Sequence, residues 1–175
     1  NEAVIAGQGT LGLEIIEDAP ALETLLVPLS GGGLISGVAL AVKTLKPECR
    51  IVGITMERGA AMAASLAAGH PVDVVEEPTL ADSLGGGIGL ANKHTFAMVS
   101  ALVDETVLVS EAEIAAGVRY AYEAEGEVIE GGAAVGIAAL LAGKVKPKGP
   151  TAVVLSGKNI AADKHRSIIC PAPAE

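Results

Sequence analysis

Leu25-Leu26-Val27-Pro28-Leu29-Ser30-Gly31-Gly32-Gly33-Leu34-Ile35-Ser36-Gly37 decides how this chain folds. The apolar run 25–29 reads as a buried strand. Three glycines then turn the chain, and apolar positions 34, 35, 38, 42 and 45 repeat with helical period. Consecutive glycines can adopt positive φ and carry no Cβ to keep a ligand away from the backbone. Their N–H groups and the positive end of the following helix suit a phosphate. A plain strand-to-helix turn needs one glycine, not three.

The same alternation extends on both sides. Arg50–Met56, Asp104–Val109 and Thr151–Leu155 read as further strands, with helices over the segments between them. Pro47 stops the helix after the glycine triplet, and Gly69 and Pro71 close an alanine-rich one. Ser110 and Glu113 have capping-box spacing at the start of another. Residues 72–77 read as a short strand or extended connection, and 161–175 as a frayed tail. Strands alternating with helices through short loops predict a layered α/β fold with a mostly parallel sheet. In such sheets ligands gather at the carboxyl ends of strands, here the Ser30–Leu34 loop, the turn at Glu57, and Ser156.

Composition narrows the function. Half of the 175 residues are apolar, 19% are charged, and the mean hydropathy is +0.50. That is oily for a free-standing domain, whose charged share is usually about 25%. A parallel sheet covered on both faces produces such runs, and so does a fragment whose partner surface is absent. Part of a larger fold is expected to be missing. A net charge of −9, one Phe, two Tyr and no Trp argue against nucleic-acid binding. Cys49 and Cys170 match no metal or redox spacing and read as free thiols of a cytoplasmic protein. The uncharged run 25–42 is long enough to span a membrane, but Pro28 and the glycine triplet break it as a helix.

Ala3–Ala6 reads as a strand, followed by Gly7-Gln8-Gly9-Thr10-Leu11-Gly12 and a helix to about Asp18. That hexapeptide fits the dinucleotide fingerprint G-x-G-x-x-G. The next strand, however, ends without the acid that would bind a ribose. A closely packed helix start is the better account, with a dinucleotide-binding Rossmann-like domain as the alternative. There is no G-x-S-x-G, P-loop or H-E-x-x-H. His70, His94 and His165 read as solvated side chains.

Five ordered motifs carry a more specific signal. Ala6–Thr10, Ser30–Leu34, Leu80–Asp82, Glu130–Ala133 and Leu155–Asn159 resemble the fold-type II pyridoxal-phosphate (PLP) enzymes of the serine/threonine dehydratase and serine racemase branch. Met56–Ala61 and Ala81–Gly89 look closest to the hydroxyectoine-utilisation dehydratases. The resemblance implies a three-layer, tryptophan-synthase-beta-like fold. Residues 1–160 would be the carboxyl-terminal part of its large, PLP-binding domain, with 161–175 as the tail. The small domain and the half bearing the imine-forming lysine would precede Asn1.

The resemblance also implies site residues. Ser30 and the backbone of Gly31, Gly32, Gly33 and Leu34 would hold the cofactor phosphate, and Ser156 would face the pyridine nitrogen. Glu130 matches a carboxylate lining the site, though a helix-start acid could equally be meeting the dipole. A divalent cation would use Glu57 and the carbonyl of Ala61, but Met62 and Ala63 stand where a second acid belongs. Asp82-Ser83 replaces the family's Asp-Gly, which bears on the substrate pocket. Lys158 follows the residue expected at the ring nitrogen, the wrong end of the ring for an imine. The implied activity is elimination from a β-hydroxy amino acid, by a homodimer, with this chain inactive alone. A non-catalytic module that binds a phosphorylated ligand is the rival.

Overall fold

In a computed structural model, which describes residues 1–170, four strands form one all-parallel sheet in the order β3-β2-β1-β4. The strands are β1 (Thr24–Pro28), β2 (Arg50–Met56), β3 (Glu105–Val109) and β4 (Thr151–Val153). Thr24 pairs with Arg50 on one side and with Thr151 on the other, so β1 is interior. All five of its residues are buried.

Burial of β1 on both faces follows from the alternation of its side chains. Leu25, Val27 and Leu29 enter one apolar cluster with Ile35, Val38 and Val42 of α2 (Gly33–Leu45). Leu26 points the other way, into a cluster with Val52, Ile54, Ile114 and Val135. The last two belong to α5 (Glu111–Glu125) and α6 (Gly131–Leu141). Helices thus cover both faces, as expected of a three-layer α/β arrangement. The capping box is present: Ser110 accepts from Glu113 N–H while the Glu113 carboxylate accepts from Ser110 N–H.

Several expectations fail. The stretch 3–12 is not strand plus turn, because α1 spans Glu2–Asp18 without a break. Its glycines serve helix packing: a Cβ at Gly12 would lie 2.7 Å from the Val38 carbonyl oxygen, and one at Gly37 would lie 2.7 Å from Gly9 N. With no strand before it and no turn within it, the hexapeptide is not a dinucleotide loop, and the Rossmann-like alternative falls.

Residues 162–169 are not frayed either. They form α7 (Ala162–Ile169), which buries Ile168 against Val118 and Ala121 of α5. Arg119 ties the two helices by donating to the Ile168 carbonyl at 2.9 Å. The rest of the expected tail, 171–175, lies outside the described residues. His165 is correspondingly buried, 7% exposed, and meets Tyr122 edge-on with ring centroids 5.3 Å apart. Residues 72–77 form no strand and take the other expected form, a connection. The shorter helices are α3 (Ala61–Ala68) and α4 (Thr95–Leu102).

Cys49 and Cys170 are free thiols, and burial pushes the Cys49 thiol up from its ordinary range. Among the described residues no helix is long and apolar enough to cross a membrane.

Candidate functional site

The glycine triplet leaves the carboxyl end of β1 and opens α2. Gly32 stands at the helix N-cap with φ +89°, a conformation that L side chains rarely adopt. No side chain caps the first turn of α2, so its leading N–H groups have no partner within the helix. A Cβ on Gly31 or Gly33 would meet nothing within 4 Å, whereas one on Gly32 would lie 2.9 Å from the Thr95 Cβ. The middle glycine is therefore pressed inward while its neighbours keep open faces.

These faces border a cavity of about 350 Å³, lined by Ser30, Gly31, Gly32, Gly33 and Leu34. Ser156 and Glu130 line the same cavity, as do Ser83 and Leu84 from the glycine-rich stretch Ala81–Gly89. The convergence follows from the sheet. Strands β1 and β4 are parallel neighbours, so the residues after Pro28 and after Val153 emerge side by side.

Glu130 precedes α6 as its N-cap, but its side chain makes no capping bond. It is tied instead to the segment after β4. Its N–H donates to the Gly157 carbonyl at 3.2 Å, and its Oε1 would lie 2.6 Å from a Cβ on Gly157. The carboxylate thus sits both at the start of α6 and on the cavity wall. Lys158 is turned away from the cavity, 68% exposed and paired with Glu127.

Ser83 and Leu84 belong to a short 3-10 turn, Asp82–Leu84, and the stretch is packed rather than a loose linker. Ala81 is fully buried and Leu84 nearly so. Side chains on Gly131 and Gly132 would collide with the Leu80 carbonyl and the Ser83 hydroxyl. The apolar residues flanking this glycine-rich stretch were its sequence signal.

The expected cation ligands offer one carboxylate between them. Glu57 follows β2, but its Oε1 takes a 3.3 Å contact from Lys144 Nζ. Ala61 opens α3. Among the described residues there is no cluster of three or more His, Cys, Asp or Glu able to hold a metal ion. Lys144 Nζ also lies 2.7 Å from Glu113 Oε2 and 3.0 Å from the Leu108 carbonyl oxygen. Desolvation works against the charge on Glu113, but bonds from Lys144 and Ser110 outweigh it and hold that carboxyl below the usual range. The Glu113 partner in turn holds the Lys144 ammonium above its ordinary range.

With this geometry in view, likeness to known proteins is decisive. The sequence-family model described as "Pyridoxal-phosphate dependent enzyme" matches residues 1–157. The chain belongs to that family. A Sinorhizobium fredii protein provisionally named a threonine dehydratase is 61% identical over 167 residues, covering 95% of this chain and 50% of that one. L-threonine ammonia-lyase of Thermotoga maritima is 46% identical over 158 residues, covering 90% of this chain and 39% of that one. Among solved structures, maize serine racemase superposes with a TM-score of 0.82 at 35% identity, over 91% of this chain and 49% of that one. This chain of the PLP-dependent family thus spans about half the length of the curated relatives it matches. The expected fold class, a parallel-sheet part of a fold-type II PLP enzyme, is borne out.

The residues present fit the cofactor. An uncapped helix start, two open glycine faces and a positive-φ glycine are features that suit a phosphate, and a cavity of about 350 Å³ is within the range of small-ligand pockets.

Proposed function

We propose that this chain forms the phosphate-binding half of a longer PLP-dependent ammonia-lyase. The enzyme removes the α-proton and the β-hydroxyl of a serine- or threonine-type amino acid and releases a 2-oxo acid and ammonia. The reading rests above all on one observation: the glycine triplet, Glu130 and Ser156 border a single cavity at the carboxyl end of the sheet.

In this reading the N–H groups of Gly31, Gly32, Gly33 and Leu34 receive the phosphate, helped by the Ser30 hydroxyl and the positive end of α2. The Ser156 hydroxyl, on the wall of the same cavity, would face the pyridine nitrogen. Being neutral, it leaves that nitrogen without the full positive charge an aspartate would stabilise. Bound PLP supplies the electron sink for breaking bonds at the substrate's α carbon, and the protein sets its strength and orientation. Glu130 offers a carboxylate that can hold or pass a proton at the cavity wall. Neither Glu57 nor Ala61 takes a metal role in this scheme.

The lysine that would hold the cofactor and move the α-proton would come from the other half of the longer protein. That half also brings the small domain and completes the amino-acid pocket. The assembled enzyme is a cytoplasmic homodimer. Residues 1–160 are thus one portion of the large domain, extended by α7.

Supplying the preceding half, in one chain or as a second polypeptide, should give PLP absorbance and a 2-oxo-acid signal from L-serine or L-threonine. Bound PLP with no elimination from any β-hydroxy amino acid would remove the ammonia-lyase reading. Binding of PLP by this chain alone, together with no elimination when both halves are present, would favour the non-catalytic module.

A further inference from the structure

We propose that the Lys144 ammonium is a built-in cation that takes the place of a divalent ion at the carboxyl end of β2. The resemblance led to the expectation of a metal held by Glu57 and the Ala61 carbonyl, and the residues present do not fit one. Glu57 carries the only acidic side chain of the pair, and Lys144 already lies 3.3 Å from it. Hard cations gather several oxygens. Here three oxygens gather on an ammonium: Glu57 Oε1, Glu113 Oε2 at 2.7 Å and the Leu108 carbonyl at 3.0 Å.

These oxygens come from three separate places. Glu57 follows β2, Leu108 lies in β3, and Glu113 is in the first turn of α5. Lys144 reaches them from the turn after α6, where Gly143 has φ +66° and Lys144 N–H donates to the Ala139 carbonyl at 3.0 Å. Val145, next in sequence, is buried in the same apolar cluster as Val107 and Ile114. The backbone on both sides of Lys144 is therefore fixed, and the ammonium is held where it can join strand ends to a helix start. A monovalent point charge with three donors suits two carboxylates and a carbonyl.

Neither substrate nor PLP takes part in this joint. The test is thermal unfolding of the intact protein in EDTA and in millimolar Mg²⁺, Ca²⁺ or Mn²⁺. Wild type should melt at the same temperature in all four. Lys144→Met should melt roughly 2–4 °C lower in EDTA, because two carboxylates then face each other without a cation. Divalent ions should recover part of that loss, while Lys144→Arg should stay near wild type and indifferent to metal. A wild-type melting temperature that rises with divalent ions and falls in EDTA would overturn the proposal. So would a Lys144→Met protein that melts like wild type. If Lys144→Met does not fold, the wild-type and Lys144→Arg responses to metal decide alone.

Discussion

Ser30 and Ser156 line one cavity because the strands before them, β1 and β4, are hydrogen-bonded neighbours. Val154 N–H continues that pairing by donating to the Leu26 carbonyl at 3.0 Å. One serine enters with the glycine turn and the other arrives from the far end of the sequence. The sheet sets their separation, so the phosphate end and the ring end of the proposed cofactor are fixed by backbone pairing rather than by flexible loops.

The glycine triplet should not tolerate substitution evenly. Gly32→Ala forces a side chain to φ +89° and sets a Cβ 2.9 Å from Thr95 Cβ and 3.0 Å from Met62 Cε. Backbone strain of this kind costs about 1–3 kcal/mol. The melting temperature should fall, and PLP affinity should drop by about tenfold for each 1.4 kcal/mol lost in the bound geometry. Gly31→Ala meets nothing within 4 Å, so its melting temperature should stay near wild type while its methyl group intrudes on the phosphate. Equal melting temperatures for the two variants would show that the turn is not strained as described.

Much of this arrangement was legible in the sequence. Strands β1 and β2, helix α2 and the Ser110–Glu113 capping box carry strong local signals, namely period, glycine punctuation and cap chemistry. The start of α1 was not legible. Ala3-Val4-Ile5-Ala6 is a short apolar run, and such a run cannot be told from a helix segment by period alone. Its glycines looked like a ligand loop, yet Gly12 and Gly37 are small because two helix backbones touch there. α7 was missed because its buried face is narrow, chiefly His165 and Ile168. The Lys144 contacts join residues distant in sequence, and nothing local to Lys144 announces them.

Two glycines of α1 provide a direct check of the packing account. Gly12→Ala would place a Cβ 2.7 Å from the Val38 carbonyl oxygen and 2.9 Å from Ala41 Cβ, and overpacking of that sort costs about 1–3 kcal/mol. Gly7→Ala meets nothing within 4 Å and should stabilise by roughly 0.5–1 kcal/mol through helix propensity. Opposite shifts in denaturant midpoint are expected. A dinucleotide loop would instead lose stability, or ligand protection, at both positions.

At the other end of the cavity, Ser156→Ala removes one hydroxyl and leaves the backbone unchanged. A single neutral hydrogen bond contributes about 0.5–1.5 kcal/mol, so PLP affinity should weaken by roughly two- to tenfold. Lys158→Ala should change nothing in the same absorbance titration, since that side chain is 68% exposed and paired with Glu127. Stronger loss of PLP in Lys158→Ala than in Ser156→Ala would reverse the assigned roles.

The ion cluster makes a prediction about pH. Glu113 is held below the ordinary carboxylate range, so its contribution is present above an unfolded pKa of about 4.3 and disappears as pH falls through the lower folded value. Lys144 is held above its ordinary range, so its contribution is present below about pH 10.4 and is lost as pH rises past the higher folded value. The groups around them are Glu57 from the end of β2 and the Ser110 N–H from the capping box. Between about pH 5 and pH 10 the cluster should therefore contribute a flat stability increment. Comparing wild type with Glu113→Gln by denaturant unfolding should give a constant difference across that window. The difference should shrink on the acid side as the Glu113 carboxylate takes up a proton. It should shrink on the alkaline side as the Lys144 ammonium loses one. A difference that instead changes steadily between pH 6 and pH 9 would mean that another titrating group, not this pair, governs the joint between β2, β3 and α5.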